Sequence, residues 1–578
     1  MSPQLARVSG GVVAVLQCAA YAAALFATGC LVGPNYERPE VELPAQWRSA
    51  DDPRLAGEPA TPTEWWKSFN DPVLDGLVED VLAQNLNLEA AALRIVQARL
   101  GAIRATEVLF PAVTGPSVGI GQSFPSTTVR PPVDVTAPSV SVSPPQFSVK
   151  PPGVTVDRRF PNLRIPLPDV SVTPPEVSLT KPQVSVTPPR VDITPRIDLF
   201  SSGFDALWEV DLWGKNRRRV EAANADTAAA EADYDAILVS LAAETAAAYV
   251  RIRTLQERLA ILADLAAMQK KVLDDAEALA KAGKATEVDP NLVRALLMDT
   301  RSRIPPLEGA MRAAENDLCV LLGKPPHDIQ ARLKGAAAVP VLPKDTSLGL
   351  PADLLRRRPD VRRAERAAAA QCARIGEAAG HLYPSFKILG SIGFNTSNPS
   401  DWFTRDSFGA AYGGGVSWNI LLYPFIIQRV RIEDARFQEA ILNYKETVLR
   451  AAREVENAST AYVKLLDESA LLSESAQAAT KAAEVGVAKY ADASLPLGTV
   501  FEALNWSAIQ RDRTAALRGE IVLMRIAVFK ALGGGWQTRA SREILSETTK
   551  EQLRGRSEWN SFFGSSSLET KIPPPADQ

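Results

Sequence analysis

Between Phe204 and Val220 this chain passes from the pattern of a strand to that of a very long helix with no loop in between. Phe204, Ala206, Trp208, Val210 and Leu212 alternate with Asp205, Glu209 and Asp211, the period of two expected of a strand with one apolar side. From about Gly214 the alternation stops and an alanine-rich helical pattern runs to about Ala282, roughly 100 Å at the helical rise per residue. No ordinary globular domain needs a helix of that length. The same change recurs between Tyr412 and Phe437, so whatever fold the chain adopts must contain it twice.

The recurrence is a duplication. Trp208 and Trp418 lie 210 residues apart, as do Gly323 and Gly533, each preceded by leucine (Leu322, Leu532). Leu109-Phe110-Pro111 and Leu382-Tyr383-Pro384 lie 273 apart. Each copy therefore reads helix, strand, strand, long helix, turn, helix. The first copy carries 63 extra residues inside its strand hairpin, which account for most of an unusual segment at about 125–197. Val133, Val140, Phe147 and Val154 head repeats of seven, as do Val170, Val177, Val184 and Val191, and Pro-Pro pairs separate many of them. Proline at that frequency rules out a coiled coil, and V-x-V with Pro-Pro favours extended backbone. The register breaks at Arg158–Asn162, as in an out-and-back arm; a disordered proline-rich loop is the competing reading. The boundaries that follow are 1–29 export signal, 30–62 extended segment, 63–340 first repeat, 341–536 second repeat and 537–578 polar tail.

Within the repeats, Asp71 is an N-cap before Pro72, and the helix it opens is expected to reach about Leu109, stopped by Pro111. Helix returns from Asn291 to Leu322, and another is expected from Pro351–Asp353 to His381. Phe386, Ile388, Ile392 and Phe394 alternate with Lys387, Ser391 and Asn395; Tyr412, Val416, Trp418 and Ile420 alternate with Ser417 and Asn419. Four strands of about ten residues match the length that crosses a bilayer when tilted. Four strands cannot close a barrel, and open edges are not tolerated in lipid, so several copies must share one barrel. Core strands of a soluble protein are the bland alternative, opposed by flanking helices rich in alanine and poor in large apolar residues.

At the N-terminus, Arg7, an apolar run from Gly11 to Phe26 and small residues before Cys30 form a lipoprotein signal, against the alternative of a short membrane anchor. The mature chain then begins at a lipidated Cys30, Cys18 is lost, and Leu31 carries no inner-membrane retention mark. Cys319 and Cys372 are expected as buried free thiols, with a disulfide as the alternative. With 64 basic and 67 acidic residues the formal charge is −3, which gives no case for nucleic acid. Two histidines, His327 and His381, leave little material for a metal site or acid–base set, and no phosphate loop or nucleophile triad is present. No cofactor, metal or enzymatic activity is expected.

Gly29-Cys30, Gly33-Pro34-Asn35-Tyr36-Glu37-Arg38-Pro39, Trp65-Trp66, Phe69-Asn70-Asp71-Pro72, Arg358-Pro359-Asp360-Val361, Tyr383-Pro384 and Lys530-Ala531-Leu532-Gly533-Gly534-Gly535-Trp536 together resemble the outer-membrane factor (TolC-like) family, in its lipoprotein branch serving resistance-nodulation-division pumps. The resemblance covers nearly the whole chain. It implies a membrane β-barrel plus a long α-helical periplasmic tunnel: a homotrimer with four transmembrane strands per protomer and a shared twelve-stranded barrel, lipid-anchored in the outer membrane. The implied function is a passive conduit for drugs or other toxic small molecules. An inner-membrane pump would drive it, and a periplasmic adaptor would dock at Gly283, Lys284, Ala285 and Thr286 and at Ser494, Leu495 and Pro496. Glu502 matches the acidic residue of the family's periplasmic iris, with a solvated carboxylate as its bland reading, and Gly498 stands where a large apolar residue is usual. Phe204, Trp208, Leu212 and Trp418 are expected to meet lipid, Glu209 and Asp211 the lumen, and Lys215 with Arg217, Arg218 and Arg219 the region just below the membrane. The valine–proline arm departs from the family. An adhesive or structural lipoprotein working through that arm is the alternative function, and protein export a third.

Overall fold

The computed structural model describes residues 31–44, 46–48, 52–55, 63–123, 197–283, 286–333, 339–340, 357–491, 494–557 and 559, with short paired pieces between 135 and 184. Cys30 and the signal, the arm's turn at Arg158–Asn162, Lys284, Ala285, Pro351–Asp353 and the last residues of the tail lie outside the described set. The chain divides into two compact units, each assembled from three stretches. One comprises Met1–Glu37, Gly101–Asn224 and Ala369–Glu439; the other comprises Arg38–Leu100, Ala225–Ala368 and Ala440–Gln578.

In chain order the elements are α1 (Pro72–Gln84), α2 (Leu86–Glu107), β1 (Ala112–Val113), β2 (Ser117–Ser123), then the short strands β3 (Val135–Thr136), β4 (Ser141–Val142), β5 (Phe147–Val149), β6 (Val170–Val172), β7 (Val177–Ser178) and β8 (Gln183–Val184). There follow β9 (Ile197–Val210), α3 (Lys215–Lys281), α4 (Val288–Ser302), α5 (Ile304–Leu321), α6 (Pro359–Gly380), β10 (Ser385–Thr396), β11 (Phe408–Ser417), α7 (Tyr423–Ala491), α8 (Leu497–Ala531) and α9 (Glu547–Arg554). The two long helices have 67 and 69 residues, and both follow directly on a strand, as the duplication requires. No described helix is long and apolar enough to cross a membrane.

The strand-bearing unit is built on one antiparallel sheet in the order β1/β2–β9–β10–β11. Beyond it, β3 pairs β8, β4 pairs β7 and β5 pairs β6, all antiparallel and all centred on the point between Arg159 and Phe160. That is the pairing of an out-and-back arm. The same unit holds the segment after residue 30. The Arg218 guanidinium, buried, donates to the carbonyls of Val32 (3.1 Å) and Gly33 (3.2 Å) and to Asn35 Oδ1 (2.8 Å). Gly33 has φ +95°, and a Cβ there would come within 2.4 Å of Gly376 Cα, so no other residue fits without a shift.

The helical unit has several apolar clusters. Trp65 and Trp66 are fully buried, and Trp65 stacks on Phe529 at 5.1 Å. Asp71 caps α1 by accepting from Val73 N (2.9 Å) and Leu74 N (3.3 Å), and also accepts from the Tyr249 hydroxyl at 2.5 Å. Arg358 closes the end of α8: it donates to the Ala531 carbonyl (2.6 Å) while bridging Asp360 and Glu454, both at 2.7 Å. Asp235, wholly buried, takes both Arg362 and Arg539 at 2.7 Å, and Arg362 lies 4.3 Å from the Trp536 ring centre. Burial pushes the Asp235 carboxyl up to about 6, against the pull of the two guanidiniums.

Four expectations are corrected. The helix opened by Asp71 is two helices, because the Asn85 side chain accepts from Asn87 N and Leu88 N and starts α2 afresh. The return helix after the first turn is also split, at Arg303 before Pro305, since Pro306 and Pro305 cannot supply the amide hydrogens of a continuous helix. β9 ends at Val210, which leaves Leu212 in the turn rather than on a lipid-facing strand and turns Asp211 into a helix cap rather than a lumenal carboxylate. The first part of the expected polar tail is folded: Ile544 and Leu545 are buried in the core, and Ser546 and Thr549 donate to Glu89.

Candidate functional site

The register of the sheet sorts every strand residue onto one of two faces. Phe386 lies opposite Val210 and Val416, Ile388 opposite Trp208 and Gly414, Ile392 opposite Phe204 and Ala410, and Phe394 opposite Phe408. Val118 and Ile120 join that face through Ser202 and Phe200. On the other face Ser385 meets Ser417, Lys387 meets Glu209 and Gly415, Ser391 meets Asp205 and Ala411, and Gly393 meets Gly203. One side is thus a sheet of large apolar groups and the other is mostly polar and small, with Leu199, Leu207 and Leu389 among its apolar exceptions. The apolar side is bare: Val118 is 69% exposed and Tyr412 is 96% exposed. So large an uncovered apolar surface in water would be strongly unfavourable, and in lipid it is the expected exterior of a pore wall.

The edges make the same point. All ten residues of β11 are exposed, and among the described residues no strand pairs with its outer edge. Aromatic rings sit at both ends of the strands, as at the two interfaces of a membrane strand. At one end Phe394 contacts Phe403 and Phe408, each at 5.5 Å, and Trp402 stacks on Phe403. At the other end are Trp208, Trp418 and Tyr423.

These latter rings pin the strand-to-helix transitions in the same way in both repeats. The Trp208 indole donates to the Leu109 carbonyl at 3.0 Å, and the Trp418 indole donates to the Leu382 carbonyl at 3.0 Å. Each acceptor lies two residues before the proline that precedes a strand, Pro111 or Pro384. In the second copy Tyr423 also donates to Leu382, at 2.7 Å. At the first transition Asp211, buried, accepts from Asn216 N (3.1 Å) and Arg217 N (2.9 Å), capping α3, while Gly214 takes φ +73°. Lys215 reaches back to Glu209 at 2.5 Å, and Trp213 stacks on Tyr383 at 4.9 Å. Phe204 and Trp208 lie on the apolar face and Glu209 on the polar one; Trp418 follows β11 and is half exposed. Arg218 and Arg219 are both engaged, Arg219 with Glu377 at 2.8 Å.

The two turns close the long helices. Gly283 adopts φ +70° where α3 stops, and Thr286 lies in the following loop. Ser494 N donates to the Lys489 carbonyl, half-buried Leu495 packs on the apolar cluster beneath it, and Pro496 precedes α8 in extended conformation. That cluster includes Val272, Leu273, Leu297, Tyr490, Val500 and Leu504. Glu502 and Gly498 sit on exposed positions of α8, and a Cβ at Gly498 would meet nothing within 4 Å. Within one chain, neither residue is therefore brought to a constriction.

Cys319 and Cys372 are buried and free. Among the described residues no group of three or more His, Cys, Asp or Glu could hold a metal ion. Sequence reasoning missed the Asp211 cap, although Gly214 signalled a turn, and missed the Asp235–Arg362–Arg539 network, whose members are too far apart in the chain to signal one another.

The family model for outer membrane efflux proteins matches residues 192–324 and 350–534, more than half of the chain. Nodulation protein T of Rhizobium leguminosarum bv. trifolii is 25% identical over 526 residues, covering 89% of this chain and 96% of its own. Outer membrane protein OprJ of Pseudomonas aeruginosa is 28% identical over 343 residues, covering 57% of this chain and 68% of its own. Among solved structures, the outer-membrane channel OprN superposes with a TM-score of 0.73 at 27% identity, covering 88% of this chain and all of that one. The CmeC outer membrane channel of Campylobacter jejuni shares the fold at 19% identity, with a TM-score of 0.69 over 91% of this chain and 98% of its own. The chain belongs to the outer membrane efflux protein family and is an outer-membrane efflux channel rather than an enzyme.

Proposed function

We propose that three copies of this chain form the outer-membrane component of a tripartite efflux system, a passive conduit for toxic small molecules. The observation that carries the reading is the sheet of four strand positions, β1 and β2 lying end to end along β9, with one bare apolar face and two edges that no strand pairs among the described residues. Such a sheet is stable in lipid only if its edges find strands, and three copies supply twelve. The helical repeats then form the periplasmic tunnel. A periplasmic adaptor docks at the turns around Gly283–Thr286 and Ser494–Pro496, and an inner-membrane pump of the resistance-nodulation-division type supplies the energy. Acyl chains on Cys30 add anchoring, and the buried Arg218 clamp on residues 32–35 ties that anchor to the strand-bearing unit. Assembly gives Glu502 the place of the iris carboxylate, with Gly498 leaving the neighbouring position open.

Two measurements test this. Unheated gel mobility of the membrane-extracted protein should report a trimer, and a strictly monomeric membrane species would sink the shared barrel. Depletion should raise intracellular accumulation of exported compounds; accumulation equal to wild type, with loss of surface adhesion instead, would favour the arm-based adhesive reading.

A further inference from the structure

Where the strands of the first and second repeats meet the start of α3, the strand-bearing unit holds a cavity of about 190 Å³. That exceeds the ~150 Å³ of an apolar cavity known to admit a benzene-sized molecule. Its walls come from the polar face of the sheet, through Glu209, Ser385, Lys387 and Ser417, and from Lys215 and His381 at the helix ends. The charges there do not balance. Lys215 occupies Glu209 at 2.5 Å, and Lys387 is the cross-strand neighbour of that same carboxylate. Asp211, the other acid in the lining, is spent on the α3 backbone and on Arg217 at 3.5 Å. Lys387 is exposed and forms no ion pair among the described residues, so two ammonium groups share one available carboxylate. Beside them Ser385 and Ser417 form a hydroxyl pair at 2.7 Å.

We propose that this cavity is a lumenal way-station for small anionic solutes, a carboxylate or phosphate group of the cargo completing the charge of Lys215 and Lys387 while the serine hydroxyls and His381 hydrogen-bond its polar remainder. The proposal rests on the conduit reading, which turns the polar face of the sheet toward water and repeats the site in each copy. The local field agrees with it: burial first, and then the positive charges of Lys215 and Arg429, hold the His381 imidazole below its ordinary value, with only Glu377 opposing. A neutral imidazole can both donate to and accept from a bound solute.

The test is single-channel current through the full-length protein in planar bilayers, with citrate as the probe anion. Citrate should depress the current of the wild type, and Lys387→Gln should raise the half-blocking concentration roughly tenfold, the effect of removing one charge-assisted hydrogen bond. Glu209→Gln should act in the opposite direction, strengthening the block and moving the reversal potential in a KCl gradient toward chloride. Both variants must still conduct in KCl, which serves as the check on folding. A conducting channel in which citrate blocks wild type and Lys387→Gln equally, or does not block at all, overturns the anion site and leaves the conduit standing. A folded, membrane-inserted trimer that carries no current overturns both.

Discussion

The two repeats share a skeleton and differ in polarity. Tyr234 and Tyr444, 210 residues apart, are both buried; Trp208 and Trp418 make the same hydrogen bond; Gly323 and Gly533 adopt the same left-handed φ, +69° and +73°, at the ends of the returning helices. The position after each tyrosine breaks the likeness. Asp235 is buried between two arginines, whereas Lys445 is exposed. Its partner Arg362 corresponds, 273 residues earlier, to Glu89, which instead receives the hydroxyls of Ser546 and Thr549. The indole pins and the left-handed glycines were kept in both copies, whereas the Asp211 cap has Leu421 as its counterpart. Buried charge occurs in both repeats, as at Arg358 and Arg525 in the second, but the network in which Asp235 joins Arg362 and Arg539 has no equivalent at Lys445. A duplicated chain needs such a difference, because interchangeable helices could pack in more than one order.

The largest expected effect tests that difference. Asp235→Ala leaves Arg362 and Arg539 buried without a counter-charge and should cost about 3–5 kcal/mol, seen as a large drop in the thermal midpoint of the helical signal. Lys445→Ala, at the equivalent place, should change stability by no more than about 0.5 kcal/mol. Equal effects at the two sites would mean that the network does not distinguish the repeats.

The pinned transitions come next. Trp208→Phe removes the indole donor to the Leu109 carbonyl and should cost roughly 1–3 kcal/mol. Trp418→Phe should cost less, about 1 kcal/mol or below, because Tyr423 still donates to Leu382. The double variant Trp418→Phe with Tyr423→Phe should then restore the larger loss. If the two single variants are equal, the hydrogen bonds are not what holds the transitions.

The smallest effect concerns the returning helices. α8 is continuous over 35 residues, whereas its counterpart breaks into α4 and α5 at Arg303. Replacing Pro305 and Pro306 by alanine should fuse the two with a stability change within about 1 kcal/mol, visible as one uninterrupted helix in a density map. A persistent break would assign it to tertiary packing instead of proline.

Much of this was legible in the sequence, for physical reasons that differ from place to place. The duplication was readable because glycine at a left-handed position and tryptophan at a transition leave few substitutes. Alternation in β10 and β11 was readable because every large apolar side chain but Leu389 falls on one face. The end of β9 was not: Asp211 and Leu212 continue the alternation perfectly, and only the φ of Gly214 and the demand of α3 for a cap turn the chain away two residues earlier. Asn85 was a missed signal, since an N-cap residue inside a helical run can restart a helix. The folded part of the tail escaped because its anchors, Ile544 and Leu545, are a single pair of apolar residues in polar surroundings. The cavity beside Lys387 was invisible, because cross-strand neighbours 178 residues apart meet only once the register is known.

The central claim is that one face of this sheet meets lipid and the other meets water. Single cysteines placed in turn at positions 387 to 394 of β10 test it directly in the membrane-inserted protein, where the native Cys319 and Cys372 are buried. A water-soluble thiol reagent should label Lys387, Leu389 and Ser391 positions and spare those of Ile388, Ile392 and Phe394, which brominated lipid should instead quench when they carry a fluorophore. Labelling that shows no period of two along the strand, or quenching on the Lys387 face, would contradict the pore wall described here.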